Sequence, residues 1–322
     1  MPWDLVGKRN WFLLISFLML VPGLVSLVLP GGVRPGIDFT SGSIMVFRFE
    51  RPVEQSSLRQ AYAELGHDEA IIQRSDDGTY IVRTTSLAGE GRTETGELET
   101  ASERQRIEQA LSERFGPINV LSYDQVSPII ASEIVRNAVL AVLAACGGIL
   151  LYLWWAFRNV PDAWRYGACS VLALIHVALV VLGAFSILGR VFGVELDALF
   201  ITAILTVIGY SVNDTIVVFD RIRENSIRRQ GEPFDDIVNH ALMETMVRSL
   251  ATGVAVMLTM FVLWLFGGAS LRSFMLALLL GVIVGSWSSH FYATMLLVVW
   301  EKGELGRFFG RGRLPQAAFG RA

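Results

Sequence analysis

The sequence predicts an α-helical integral membrane protein with six transmembrane helices and one α+β domain outside the membrane. Three observations predict it. Hydrophobic residues make up 52% of the 322 residues, which is high for a soluble domain. Six apolar runs are each near the ~20 residues that a helix needs to cross a bilayer. Residues 30–134, between the first and second runs, carry many charges and contain no such run.

Residues 1–29 form the predicted cytoplasmic N-terminus and first transmembrane helix. Lys8 and Arg9 precede the apolar run Trp11–Leu29. This run exceeds the ~7–15 residues of a signal-peptide core, and no Ala-x-Ala site follows it. We therefore interpret it as a retained helix rather than a signal peptide. With its basic end in the cytoplasm, the next segment lies outside.

Residues 30–134 are predicted to form the extracytoplasmic domain. Its elements are strand Ser43–Phe49, helix Val53–Leu65, strands Ala70–Arg74 and Thr79–Thr85 joined at Asp76-Asp77-Gly78, a loop Ala88–Gly96, helix Leu98–Phe115 and strand Ile118–Val126. The order strand, helix, strand, strand, helix, strand is that of a ferredoxin-like domain. His67 is interpreted as a solvated turn residue rather than a metal ligand.

Residues 135–300 are predicted to form a five-helix membrane bundle, followed by a cytoplasmic tail at 301–322. The spans are expected at about 137–157, 167–188, 196–219, 249–266 and 274–300. Between the spans at 196–219 and 249–266, the segment Ile222–Val247 is expected to be an amphipathic helix on the membrane surface. Basic residues concentrate on one side, so both termini are placed in the cytoplasm: Arg158, Arg165, Arg221, Arg223, Arg228, Arg229, Lys302, Arg307, Arg311 and Arg313.

Small residues within the spans predict close helix packing rather than a chemical site. They are Gly147-Gly148, Gly281 with Gly285, and Ala141, Ala144 and Ala145. Cys146 and Cys169 both lie in apolar runs and suggest no disulfide framework. Because the sequence has no zinc-type spacing, P-loop or Gly-x-Ser-x-Gly element, we expect neither an enzyme nor a bound cofactor.

The stretch Ile201–Asn225 carries polar groups inside an apolar run. Asp214 is costly there, by ~2.5–3.5 kcal/mol on insertion scales, so such a carboxylate usually meets a partner or a water-filled path. Ser211, Asp214 and Val218 share one helical stripe, and a neighbouring stripe follows it: Thr202, Thr206, Gly209 and Asn213. Both are expected to face the bundle. The alternative is a carboxylate that merely hydrogen-bonds a neighbouring helix.

The best candidate partner for Asp214 is Arg248, at the predicted start of the next, antiparallel span. Asp220 lies ~120° around the helix from Asp214, so the two carboxylates cannot share a proton. Burial favours a neutral aspartate whereas a guanidinium favours the charged one, so a proton would decide whether the pair holds. Alternatively, Arg248 snorkels to the headgroups. His176 and His290 are read either as proton relays or, with more weight, as hydrogen-bonding groups between helices.

The stretch Gly209–Asn225, GYSVNDTIVVFDRIREN, closely resembles the signature of the SecF family of bacterial protein-export membrane proteins. Gly36–Thr40, Arg248-Ser249 and Leu265–Gly268 are similar to further family features, and the resemblance covers essentially the whole chain. Two departures are visible. The family usually has two glycines after Asp-Phe-Thr, where this chain has Ser41-Gly42, and Ser249–Gly253 is poorer in Ser and Thr than usual.

The resemblance implies a protein of the bacterial inner membrane that uses the proton-motive force to help export unfolded proteins. It implies SecD as the other half of a transporter of the resistance-nodulation-division type. It further implies action with the SecY/SecE/SecG channel, SecA, YajC and membrane lipid, and no nucleic acid. Protons would be the coupling ion, with Asp214 and Arg248 as the responsive residues and Ser211, Asn213, Thr215 and Asp220 in support.

Two other functions stay open on the sequence. A half-transporter of the same superfamily for lipids or small molecules would need an apolar substrate pocket, whereas the external domain is polar and charged. A translocon scaffold that conducts no protons would tolerate Asp214→Asn. An edge strand of the external domain is a candidate to bind an extended segment of the exported chain, with Ser43–Phe49 as the segment to test.

Overall fold

The computed structural model describes residues 4–75, 78–87, 103–158 and 163–304. A short 3₁₀ turn, Val6–Lys8, leads into α1 (Arg9–Val28). Residues 35–138 form one compact unit, and the remaining helices form a second. The predicted fold class is confirmed, because the described residues contain an antiparallel sheet domain and six helices long and apolar enough to cross a membrane.

The α+β domain contains four strands and three helices in the described residues. They are α2 (Ile37–Thr40), β1 (Gly42–Phe49), α3 (Gln55–Glu64), β2 (Ile71–Arg74), β3 (Thr79–Thr84), α4 (Glu103–Phe115) and β4 (Ile118–Val126). The sheet order is β2-β3-β1-β4 with every pair antiparallel, which is the ferredoxin-like arrangement. Alternate residues Met45, Phe47 and Phe49 of β1 enter a core with Leu58 and Leu111 of the two longer helices.

Two expectations for this domain are wrong. Ser43–Phe49 lies in β1, which pairs with β3 on one side and β4 on the other, so it cannot accept an added strand. The strands at the edges of the sheet are β2 and β4. His67 is only 6% exposed, and its ring nitrogens lie 3.5 Å from Glu69 Oε1 and 3.2 Å from Glu103 Oε1, so it is not a solvated turn residue.

Part of the predicted domain lies outside the described residues: Asp76-Asp77, the loop Ala88–Gly96 and the first residues of the helix predicted at Leu98–Phe115. Gly78, next to the predicted turn, has a φ of 81°. That value favours glycine and agrees with a tight connection between β2 and β3.

The helical unit continues with α5 (Pro128–Ala156), α6 (Ala163–Phe192), α7 (Ala198–Arg228), α8 (Phe234–Phe266), α9 (Ala269–Trp287) and α10 (Ala293–Glu301). A π-helical turn, Ser288–Tyr292, joins the last two into one long element. Asp197 caps α7 by accepting a hydrogen bond from the backbone N–H of Phe200 at 2.9 Å. In the tail, Arg307, Arg311 and Arg313 lie outside the described residues.

The prediction that Ile222–Val247 forms a helix separate from the spans on either side is wrong. Helix α7 extends to Arg228, and α8 runs without interruption from Phe234 to Phe266. Gly231, with a φ of 97°, and Pro233 at the N-cap confine the break to a short connection. From Phe234 to Thr252 no Gly or Pro interrupts the sequence, so the helix continues through the segment expected to lie on the membrane surface.

Close helix packing is found at some of the predicted glycines but not at others. A Cβ at Gly281 would lie 2.2 Å from Val207 of α7, so α9 and α7 are tightly apposed. A Cβ at Gly147 or Gly148 would meet no atom within 4 Å. A close approach between the backbones of two helices was not predicted: a Cβ on Gly183 of α6 would lie 2.4 Å from the Cα of Gly23 of α1.

Candidate functional site

The buried face of α7 presents Asp214 to the helices around it. Ser211, Asp214 and Val218 are 0%, 5% and 0% exposed, so the predicted stripe does face the bundle. The neighbouring stripe does not, since Thr202, Thr206, Gly209 and Asn213 are exposed on this chain. The two stripes differ because consecutive helix residues lie ~100° apart, which turns Asn213 away from the side that Asp214 occupies.

Asp214 has polar neighbours from two other elements. Its carboxylate is hydrogen-bonded to Ser249 of α8 and interacts electrostatically with His290 of the π-helical turn. Its second oxygen, Oδ2, is buried and has no hydrogen-bond partner among the described residues. The site is therefore an acidic group at the meeting point of three helical elements.

Hydroxyl groups fix α7 against the π-helical turn beside Asp214. Ser211 Oγ and Ser289 Oγ are 3.0 Å apart, and Ser289 Oγ donates to the carbonyl of Ser211 at 2.8 Å. Thr215 Oγ1 donates to the same carbonyl at 2.9 Å. Because Ser289 directly precedes His290, these bonds also fix where the imidazole lies relative to α7.

The two buried histidines of the membrane helices have different surroundings. His290 is 3% exposed, and its Nδ1 hydrogen-bonds the carbonyl of Ser286 at 3.0 Å within its own helix. His176 stacks on Tyr292 and hydrogen-bonds the carbonyl of Ser16 of α1 at 3.0 Å. The simpler prediction, a hydrogen bond to a neighbouring helix, thus describes His176, whereas His290 faces the acidic site.

The predicted ion pair between Asp214 and Arg248 is not formed, although both side chains lie in the described part of the chain. Ser249 occupies the position on α8 that faces Asp214, and the preceding residue is turned ~100° away. Arg248 is exposed and lines a charged cleft of about 350 Å³ between α7 and α8. The other residues of the cleft are Val217, Asp220, Arg221, Glu224, Glu244 and Thr245.

Asp220 lies in this cleft and apart from Asp214. Its side chain is 66% exposed and lies 3.5 Å from Arg223. Arg221 bridges Glu244, at 2.5 Å, and Glu224. In the described ranges no cluster of three or more His, Cys, Asp or Glu could hold a metal ion. The geometry brings together Asp214, Ser249 and His290, and it separates Asn213, Asp220 and Arg248 from them.

The Gly36–Thr40 motif forms α2 and turns directly into β1. Thr40 Oγ1 donates to the carbonyl of Gly36 at 3.1 Å. Ser41 has a φ of 63° and Gly42 a φ of 131°, both in the region that favours glycine. Two glycines would therefore suit this backbone best. Ser41 occupies the first of the two positions, and its backbone is strained there.

Comparisons with known proteins agree on one family. The family model described as protein export membrane protein SecD/SecF, C-terminal, matches residues 106–303, and the SecD/SecF GG motif matches residues 31–53. The chain is 44% identical over 315 residues to the protein translocase subunit SecF of Thermobaculum terrenum, covering 98% of this chain and 99% of that one. With SecF of Anaerolinea thermophila the identity is 38% over 322 residues, again covering 98% and 99%.

The crystal structure of SecDF from Thermus thermophilus, described as a translocon-associated membrane protein, has a similar fold. The TM-score is 0.75 at 32% identity, over 93% of this chain and 38% of that chain. This chain therefore corresponds to only part of the solved protein. This chain has six apolar helices, matches the family's motifs and aligns with relatives along nearly its whole length. It therefore belongs to the SecF family of protein translocase subunits and is a multi-pass membrane protein.

Proposed function

We propose that this chain couples the proton-motive force to the export of unfolded proteins through Asp214, with Arg248 as the arginine that responds to it. One observation carries the proposal. Asp214 is a carboxylate only 5% exposed inside a helix bundle, and one of its oxygens lacks a hydrogen-bond partner in the described structure. Intramembrane carboxylates at such positions mark ion pathways in membrane proteins.

Protonation of Asp214 changes the charge inside the bundle, where the low dielectric makes that change large. A neutral acid can donate to a neighbour on another helix, whereas a carboxylate can only accept. One proton crossing a potential of 100 mV releases ~2.3 kcal/mol, which is enough to bias two helix arrangements of comparable energy. The bound proton thereby selects an arrangement of α7 relative to α8 and the last helix.

Arg248 is placed to respond because it adjoins Ser249, which contacts Asp214. It shares the cleft with three carboxylates, those of Asp220, Glu224 and Glu244. Loss of the proton from Asp214 adds a competing carboxylate on the other side of α8. The preferred position of the guanidinium then depends on the protonation of Asp214, which is the switch that the proposal requires.

We propose that the exposed polar stripe of α7 contacts SecD. Thr202, Thr206 and Asn213 lie on an otherwise apolar helix, and polar groups on such a helix usually face protein or water rather than lipid. We further propose that the pair works beside the SecY/SecE/SecG channel, SecA and YajC. We place both termini of this chain on the cytoplasmic side of the bacterial inner membrane, as Lys8 and Arg9 indicate.

The decisive experiment measures secretory precursor accumulation in cells depleted of this protein and supplied with wild type or Asp214→Asn. Asparagine keeps the shape of the side chain but cannot exchange a proton. We expect wild type to clear the precursors and Asp214→Asn to leave them. Thr259→Val, on the exposed surface of α8, serves as the matched control and should clear them. Equal clearance by wild type and Asp214→Asn would make the subunit a scaffold and refute the proton mechanism.

A further inference from the structure

Four buried polar atoms around Asp214 lack hydrogen-bond partners of good geometry in the described structure. They are Tyr210 Oη, Asp214 Oδ2, Ser286 Oγ and His290 Nε2. Tyr210 and Ser286 meet over Gly253 of α8, where a Cβ would lie 3.3 Å from each hydroxyl oxygen. Buried polar atoms are usually paired, so a group of them at one place indicates a site that binds something polar.

The hydrogen bond of His290 identifies the nitrogen that can exchange a proton. A carbonyl oxygen only accepts, so Nδ1, 3.0 Å from the carbonyl of Ser286, carries the hydrogen. In the neutral ring Nε2 then has a free lone pair. The imidazole interacts electrostatically with Asp214, so the acid and the base of the site belong to two different helices.

We propose that His290 is the proton-exchange partner of Asp214, and that the two side chains bind one proton between them. The inference rests on the proposed function, because it names the group that exchanges the proton with Asp214. In the exchange the carboxylic O–H bond breaks and an Nε2–H bond forms. The products are a carboxylate and an imidazolium that keeps its Nδ1–H bond.

The net charge of the pair explains why it should bind one proton. With no proton bound, the pair is a buried anion. With one proton it is either two neutral groups or an ion pair, so its net charge is zero, which a low-dielectric site favours. The other groups are Tyr210 on α7, a weak acid, and Arg248 on α8, which is exposed in the cleft. Ser249 and Ser286 do not titrate near neutral pH.

The site suits a proton better than a metal cation such as Na⁺. Hard cations are bound by several oxygen ligands, and the hydroxyls of Tyr210 and Ser286 would offer two, but the group that faces the carboxylate is an imidazole nitrogen, which is an ordinary proton acceptor. The π-helical turn sets this geometry. A π turn adds a residue to the helix, and each residue corresponds to ~100° of rotation, so an unbroken α-helix would turn His290 to another direction.

The test is infrared difference spectroscopy of the full chain in lipid vesicles as the pH is varied. The carboxyl signal of Asp214 is assigned by its loss in Asp214→Asn. We expect His290→Gln to move the midpoint of this signal by about one pH unit or more, a tenfold change in proton affinity. His176→Gln, the matched buried histidine, should leave the midpoint at the wild-type position.

A second measurement needs no variant of His290. In the full chain labelled with ¹⁵N-histidine, Nε2 of His290 should titrate together with the Asp214 signal, since the two form one coupled system. Its titration should change in Asp214→Asn, and that of His176 should not. Independent titration of His290 and Asp214 would overturn the inference. A carboxyl signal that responds to Na⁺ at fixed pH would also overturn it.

Failure of this inference differs from failure of the proposed function. If Asp214→Asn blocks precursor clearance while Asp214 titrates alike in wild type and His290→Gln, the export function stands and the partnership is wrong. If the two side chains titrate together but Asp214→Asn clears precursors normally, the partnership stands and the export function is wrong.

Discussion

Replacing Gly183 by Ala should force α1 and α6 apart. The added Cβ would lie 2.4 Å from the Cα of Gly23 and 2.9 Å from its carbonyl carbon. Carbon atoms pack best at ~3.5–4.0 Å, so the helices must separate locally by about 1 Å or more. Overpacking of this kind destabilises by ~1–3 kcal/mol. Because backbone rather than a flexible side chain is in the way, rotamer changes cannot relieve the contact.

The matched control is Gly148→Ala on α5, where the new Cβ would meet no atom within 4 Å. Both variants gain the helix propensity of alanine, up to ~1 kcal/mol, so comparing them removes that contribution. We expect Gly183→Ala to have a free energy of unfolding lower than that of Gly148→Ala by ~1–3 kcal/mol, measured by denaturant titration in mixed micelles. Equal values for the two variants would refute the reasoning from the α1–α6 contact.

Three further predictions concern the α+β domain in the full chain. Ser41→Gly should raise its free energy of unfolding by about 1 kcal/mol, because glycine adopts the positive φ of 63° without strain; an unchanged value would show that the strain is relieved. The hydrogen bond from Arg114 holds the pKa of Glu64 below its ordinary value of 4.5, so this stabilisation is present above that pH and is lost as the pH falls through the folded pKa. Arg114→Gln should flatten the acid-side dependence of hydrogen exchange in α3, and a profile like that of wild type would contradict this. Burial raises the pKa of Tyr62 above its ordinary value of 10.0, so the stability that the buried neutral phenol provides is lost as the pH rises beyond that value. Tyr62→Phe, which cannot ionise, should remove this alkaline loss of stability, measured by hydrogen exchange in α3.

Long periodic patterns and turn residues made most of the fold predictable. The elements from Ser43 to Val126 follow from strand alternation and from Gly at the ends of helices, and β4 has the predicted bounds Ile118–Val126. Six apolar runs of sufficient length predicted the six long helices. The buried stripe of α7 followed from the helical period alone, because residues three or four apart lie on one face.

Contacts between distant residues could not be predicted in this way. The approach of Gly23 to Gly183 depends on which helices are neighbours, and the sequence of either helix alone does not give this. The π-helical turn at Ser288–Tyr292 has no sequence signature, yet it determines that His290 reaches Asp214. The sequence favours Arg248 as the partner of Asp214 because it is the nearest basic residue in the adjoining helix, but the residue of α8 that contacts Asp214 is the next one, Ser249.

The arrangement of Asp214 accounts for how a small chemical event could move large helices. Its hydrogen bond to Ser249 belongs to α8, and its electrostatic interaction with His290 belongs to the last helix. A carboxylate accepts the hydrogen bond from Ser249 on α8 more strongly than a neutral acid does, whereas the bound proton joins Asp214 to His290 on the last helix. Protonation therefore weakens the attachment of α7 to α8 and not its attachment to the last helix. The hydroxyl bonds from Ser289 to Ser211 do not titrate and still hold α7 to the last helix, so the weaker attachment, and hence the expected movement, is that between α7 and α8.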